Sequence, residues 1–126
     1  MIISIFELPK AKTQRYTIMK KIPLVPSATD LKAEIGDELA YVFYEHVSVG
    51  YMAEFDIEDE SVVRHKGSET IYEQPERMNE PGITGADAAQ TTFYFEAIAK
   101  GTTLLIIRNI FRMDVESEYR FRITVC

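Results

Sequence analysis

Tryptophan is absent, and cysteine occurs once, at the final position, Cys126. No internal disulfide can form, which leaves pairing between chains as the one covalent link open to this thiol. A catalytic thiol needs a placed base and a protected pocket, and a terminal residue does not supply them. Histidine is nearly as scarce: His46 and His65 make no zinc site unless carboxylates complete it, and there is no His-Glu-x-x-His. No Gly-rich turn passes into a helical stretch, so phosphate loops and dinucleotide fingerprints are excluded and no cofactor is expected. Basic residues are outnumbered, 14 against 20 acids, for a net charge of -6. Phosphate-backbone affinity needs clustered Lys and Arg, so a nucleic-acid binder is excluded.

Long apolar runs are missing as well. No stretch approaches the roughly 18 apolar residues needed to span a bilayer, and no membrane partner is expected. The opening Ile2, Ile3, Ile5 and Phe6 is apolar. It ends at Glu7, Pro9 and Lys10 with no basic residue before it, unlike an export signal. A complete chain is therefore expected in the cytoplasm, and one from which a leader was removed is expected outside it.

What remains is a chain of 126 residues, 46% hydrophobic and 27% charged, proportions that suit a single folded domain. Its charge is uneven. Lys10, Lys12, Arg15, Lys20 and Lys21 against Glu7 give the first 21 residues +4, leaving -10 for the rest. Residues 1–28 are expected as an N-terminal extension or edge strand, and 29–126 as the domain proper, a monomer.

The clearest pattern lies in residues 93–125. Phe93, Phe95, Ala97 and Ala99 alternate with Thr92, Tyr94, Glu96 and Ile98, which predicts a strand with one buried face. Lys100-Gly101 turns the chain into Leu104, Leu105, Ile106 and Ile107, a run expected to be covered on both faces. In the last strand Tyr119, Phe121, Ile123 and Val125 point one way, and Arg120, Arg122 and Thr124 the other. Earlier, residues 29–35 read as a strand, with Gly36-Asp37 turning into a second over 38–45. There Leu39, Tyr41 and Phe43 oppose Val42 and Tyr44, so the strand is either covered on both sides or has an aromatic outer face. Residues 51–57 resume the extended pattern, and 56–60 read as a charged turn. Residues 61–63 and 69–72 are short strand candidates with Gly67 between them. Residues 73–90, with Pro75, Pro81, Gly82 and Gly85, lack a period and read as a long exposed loop, the kind that is often functional. The fold class expected is an all-β antiparallel sandwich.

Candidate chemistry is sparse. Ser48 lies near His46, but a triad needs an orienting acid and an oxyanion hole. Acid pairs such as Asp56 with Glu58, or Asp59 with Glu60, fit solvent-facing turns better than a glycosidase pair. The composition reads as a binder, with no catalytic residues.

Over residues 35–125 the order of features resembles the chagasin-type inhibitors of papain-like cysteine peptidases. The resemblance rests on Gly36-Asp37, the strand 38–44, Gly50-Tyr51, Asp59-Glu60-Ser61-Val62, Phe93-Tyr94-Phe95-Glu96-Ala97, Lys100-Gly101-Thr102, Leu104 and the strand 119–125. It implies an immunoglobulin-like β-sandwich whose three loops at one end fill a peptidase cleft without being cut. The first loop, usually Asn-Pro-Thr-Thr-Gly-Tyr, corresponds to His46, Val47, Ser48, Val49, Gly50 and Tyr51, where only the Gly-Tyr end is kept. The second, usually Gly-x-Gly-Gly, falls on Ala86, Asp87, Ala88 and Ala89, with Gly82 to Gly85 as the rival placement. The third, usually Arg-Pro-Trp, falls on Phe111, Arg112 and Met113. The implied partner is a papain-like cysteine peptidase, and the alternative is a protein-binding sandwich with a different partner.

Overall fold

The computed structural model describes residues 19–77 and 86–126. Among the described residues two four-stranded sheets face one another. In chain order the strands are β1 (Lys21–Pro23), β2 (Asp30–Ala33), β3 (Glu38–Glu45), β4 (Tyr51–Ile57), β5 (Val63–Tyr72), β6 (Ala89–Ala97), β7 (Gly101–Phe111) and β8 (Asp114–Val125), with one 3-10 turn at Pro75–Arg77. One sheet runs β1-β3-β6-β5 and the other β2-β8-β7-β4. The protein is an all-β immunoglobulin-like sandwich.

Period-two alternation builds the core. Leu39, Tyr41 and Phe43 of β3, Phe95 and Ala97 of β6, Leu105 and Ile107 of β7, and Phe121, Ile123 and Val125 of β8 are all buried between the sheets. Phe93 fills the space between Phe43 and Phe55, at ring distances of 4.7 and 5.2 Å. Of the two readings of β3, the structure has the aromatic outer face: Val42 and Tyr44 are exposed. The run from Leu104 to Ile107 departs from expectation. Leu105 and Ile107 are fully buried, but Leu104 and Ile106 face outward, half-buried, with Arg122 and Arg120 opposite them in register. Arginine stems cover apolar surface while their heads stay in water, so such a face needs no second layer.

Several boundaries also differ. The two short candidates at 61–63 and 69–72 are one ten-residue strand, β5, carried past Gly67 by a register shift between His65 and Gly67 that leaves Lys66 unpaired. Ser61 and Val62 belong to the preceding turn, where Ser61 N–H donates to Asp59 Oδ1 at 3.0 Å. Asp56 and Ile57, where the expected strand 51–57 and the expected turn 56–60 overlap, pair in β4, which spans the expected strand. Strand β6 begins at Ala89, inside the expected loop, and ends at Ala97. Residues 1–18 and the rival loop placement, Gly82 to Gly85, lie outside the described residues.

The entry of the chain shapes the flank of the sandwich. Strand β1 pairs in parallel with β3 only at Glu38, Leu39 and Ala40. Leu24 then drops into the core, a Val25 to Ala28 turn crosses between the sheets, and β2 pairs in parallel with β8 only from Arg122 onward. Among the described residues, no strand pairs with the free sides of the remaining halves of β3 and β8, toward the end where β3 turns into β4.

Candidate functional site

That end carries the three connections picked out in the sequence. The first is a tight reversal between β3 and β4. His46 N–H donates to Tyr51 O at 2.9 Å and Tyr51 N–H returns to His46 O at 3.1 Å, so residues 47–50 project as a short loop. Val47 is 53% exposed and Val49 37%. Gly50 closes the loop at a φ of 102°, a conformation that favours glycine.

The third connection is shorter than expected. Phe111 pairs with Asp114, so Asn109, Ile110 and Phe111 are strand residues and the loop is Arg112-Met113 alone. Both have positive φ, 52° and 73°, as the two-residue hairpin turn with the right twist requires. Asn-Gly is the usual pair there. Two ordinary side chains in this region cost on the order of 1–2 kcal/mol each. Such strain is a pointer to function and holds Met113 95% exposed at the tip.

These two loops touch. Arg112 N–H donates to Gly50 O at 2.9 Å. Behind them the Arg112 guanidinium lies 5.0 Å from the Phe111 ring, Phe111 stacks on Tyr51 at 4.3 Å, Tyr51 meets Tyr44 at 5.6 Å, and Tyr44 meets His46 at 5.9 Å. A continuous row of rings therefore backs both loops.

The second connection joins through Asp87. Its carboxylate accepts Ser48 N–H at 3.0 Å and Ser48 Oγ–H at 2.6 Å, and lies 3.2 Å from His46 Nε2. The Ser48 hydroxyl and backbone N–H, with a smaller contribution from His46, hold the Asp87 carboxyl below its ordinary range. The Asp87 carboxylate therefore ties the second loop to the first. Glu73 N–H donates to Ala88 O at 2.9 Å and closes the base of this loop. Ala89, expected in the loop, pairs with Glu45 and Tyr72 and is fully buried. It offers no surface to a partner.

Of the sequence-predicted site residues, then, 46–51, 86–88 and 111–113 gather at one end, and Ala89 is core. Sequence reasoning passed over Tyr44, whose hydroxyl lies 2.7 Å from His46 Nδ1, although its place in an aromatic outer face two residues before His46 was a usable signal. It also passed over Glu116, which nothing in the local pattern marks.

No protein-family model matches the chain, and no curated protein matches it in sequence. Among solved structures it is similar to the cysteine protease inhibitor EhICP2 from Entamoeba histolytica, with a TM-score of 0.67 at 10% identity over 88% of this chain and 100% of that one. It is also similar to the solution structure of amebosin, with a TM-score of 0.53 at 11% identity over 87% of this chain and 100% of that one. The two sheets and their connections have the fold of the chagasin-type inhibitors.

Proposed function

We propose that this protein is a non-catalytic inhibitor of papain-like cysteine peptidases, acting by physical exclusion. One observation carries the reading: in a chain with this fold, three loops far apart in sequence are braced together at one end and present Met113, Val47 and Val49 to solvent. The EhICP2 structure is described as that of a cysteine protease inhibitor, and the likeness extends over the whole of that protein.

In this reading residues 47–50 enter deepest, against the peptidase cysteine and histidine. Met113 and Phe111 supply an apolar anchor, Arg112 a polar clamp, and residues 86–88 the flanking contact. The strands on either side hold the loop ends, so the chain enters the cleft in a geometry unsuited to attack. The described loop residues are hydrogen-bonded to one another before binding, which lowers the entropy cost of association. An interface of ordinary size, roughly 800 Å² on each partner, is within the reach of three short loops.

The test is a titration of the purified protein against papain and a cathepsin-L-like peptidase, following hydrolysis of a fluorogenic peptide. The expected result is saturable 1:1 inhibition that an active-site ligand competes away. No inhibition at micromolar protein would overturn the reading and leave a protein-binding sandwich with a different partner.

A further inference from the structure

Beside the loops, past the ends of β1 and β2, a groove of about 410 Å³ lies between β3 and the second sheet. Four tyrosines line it, Tyr41, Tyr44, Tyr51 and Tyr119, together with Asn109 and Glu116. The Tyr41 hydroxyl is 2.8 Å from Asn109 Nδ2, which also donates to Ser117 Oγ at 3.0 Å, so the polar floor is internally bonded.

Glu116 reaches the groove through a fault in the register. Asn109 pairs with Ser117 and Ile110 with Val115, so Glu116 is the extra residue of a β-bulge. Bulges disturb the regular alternation of side chains, and here Glu116 and Ser117 both line the groove. Glu116 is the sole charged residue of that lining among the described residues. Among the described residues no cation pairs with it, while the nearby Arg108 is committed to Glu54, Asp56 and Glu118 at 2.7–3.2 Å.

We infer that this groove is a binding site for an arginine side chain of the partner. A guanidinium is planar and weakly hydrated, stacks on aromatic faces, and fits a carboxylate with paired N–H donors. The tyrosines of the lining, exposed Tyr44 among them, and a carboxylate that no cation pairs with among the described residues supply both halves of that recognition. That the arginine belongs to the rim of a peptidase cleft rests on the inhibitor reading; the chemistry of the groove does not.

The test uses the isotope-labelled protein and a capped Gly-Arg-Gly peptide, with the matching citrulline peptide as an uncharged isostere. Saturable amide shifts are expected at Tyr44, Asn109, Glu116 and Ser117, with the arginine peptide at least about fivefold tighter than the citrulline one. Glu116→Gln, which preserves shape, should bring the two within about twofold of each other while shifts elsewhere stay in place. Equal binding of the two peptides, no shifts, or an undiminished preference in Glu116→Gln would overturn the site. The two proposals fail separately. Arginine binding without peptidase inhibition keeps the groove and sinks the inhibitor reading, and inhibition without arginine binding does the reverse.

Discussion

The backbone N–H of Arg112 donates to the carbonyl of Gly50 at 2.9 Å, and the close approach leaves little room for a side chain on Gly50. A β-carbon there would lie 3.0 Å from the same nitrogen and from Arg112 Cγ, on a residue whose φ is 102°. Gly50→Ala should therefore separate the first and third loops. The expected cost is about 1–3 kcal/mol of stability, read as a lowered melting temperature, together with weakened peptidase inhibition. An unchanged melt and unchanged inhibition would show that the two loops are not coupled.

Met113→Gly should move stability and binding in opposite directions. Removing the side chain from a φ of 73° relieves strain, offset partly by the extra freedom of unfolded glycine. The net gain expected is about 0.5–1 kcal/mol. Loss of the exposed apolar tip should weaken inhibition by about 2 kcal/mol, roughly 30-fold. Denaturant melts and inhibition constants on one preparation check both signs.

Val49→Asp places an unpaired charge in the first loop, and should weaken inhibition by about 2 kcal/mol or more through desolvation. Ile35→Asp makes the same change at an exposed position in the turn before β3, at the opposite end of that strand from the loops. It should alter inhibition by no more than about 0.5 kcal/mol. Equal effects of the two variants would remove the loop from the interface.

Asp87 gives the loop end its pH dependence. Its carboxyl is held below the ordinary range by Ser48, so the native state binds this proton less readily than the unfolded chain does. The stabilisation is therefore present above the unfolded pKa and is lost as pH falls through the folded one. Asp87→Asn should melt below the parent at about pH 7, and the gap should narrow steadily as pH falls below the ordinary carboxylate range and the parent's Asp87 takes up its proton. A gap that persists in acid would assign the effect to packing instead of charge.

Phe121 is fully buried at the centre of β8. Phe121→Ala should cost about 3–5 kcal/mol, the transfer term plus the cavity left in a core with no disulfide to support it. Chemical denaturation measures it directly.

The strands with strict alternation were legible from residues alone. In β3 and β8 side-chain direction is a local property with a period of two, so Leu39, Tyr41, Phe43, Phe121, Ile123 and Val125 declared the core face before any pairing was known. The four-residue apolar run in β7 was ambiguous for the same reason, because a sequence in which every position is apolar carries no period. A single extra residue in a strand reverses every direction after it, and only the partner strand reveals it. The bulges at Lys66 and Glu116 were therefore beyond sequence reading, and with them the continuity of β5 and the charge in the groove. The loop end divides the same way. Its residue types and approximate places could be read along the chain. That Asp87 binds Ser48 across 39 residues, and that Arg112 rests on the one glycine able to receive it, are facts of pairing between distant segments, which tertiary structure alone decides.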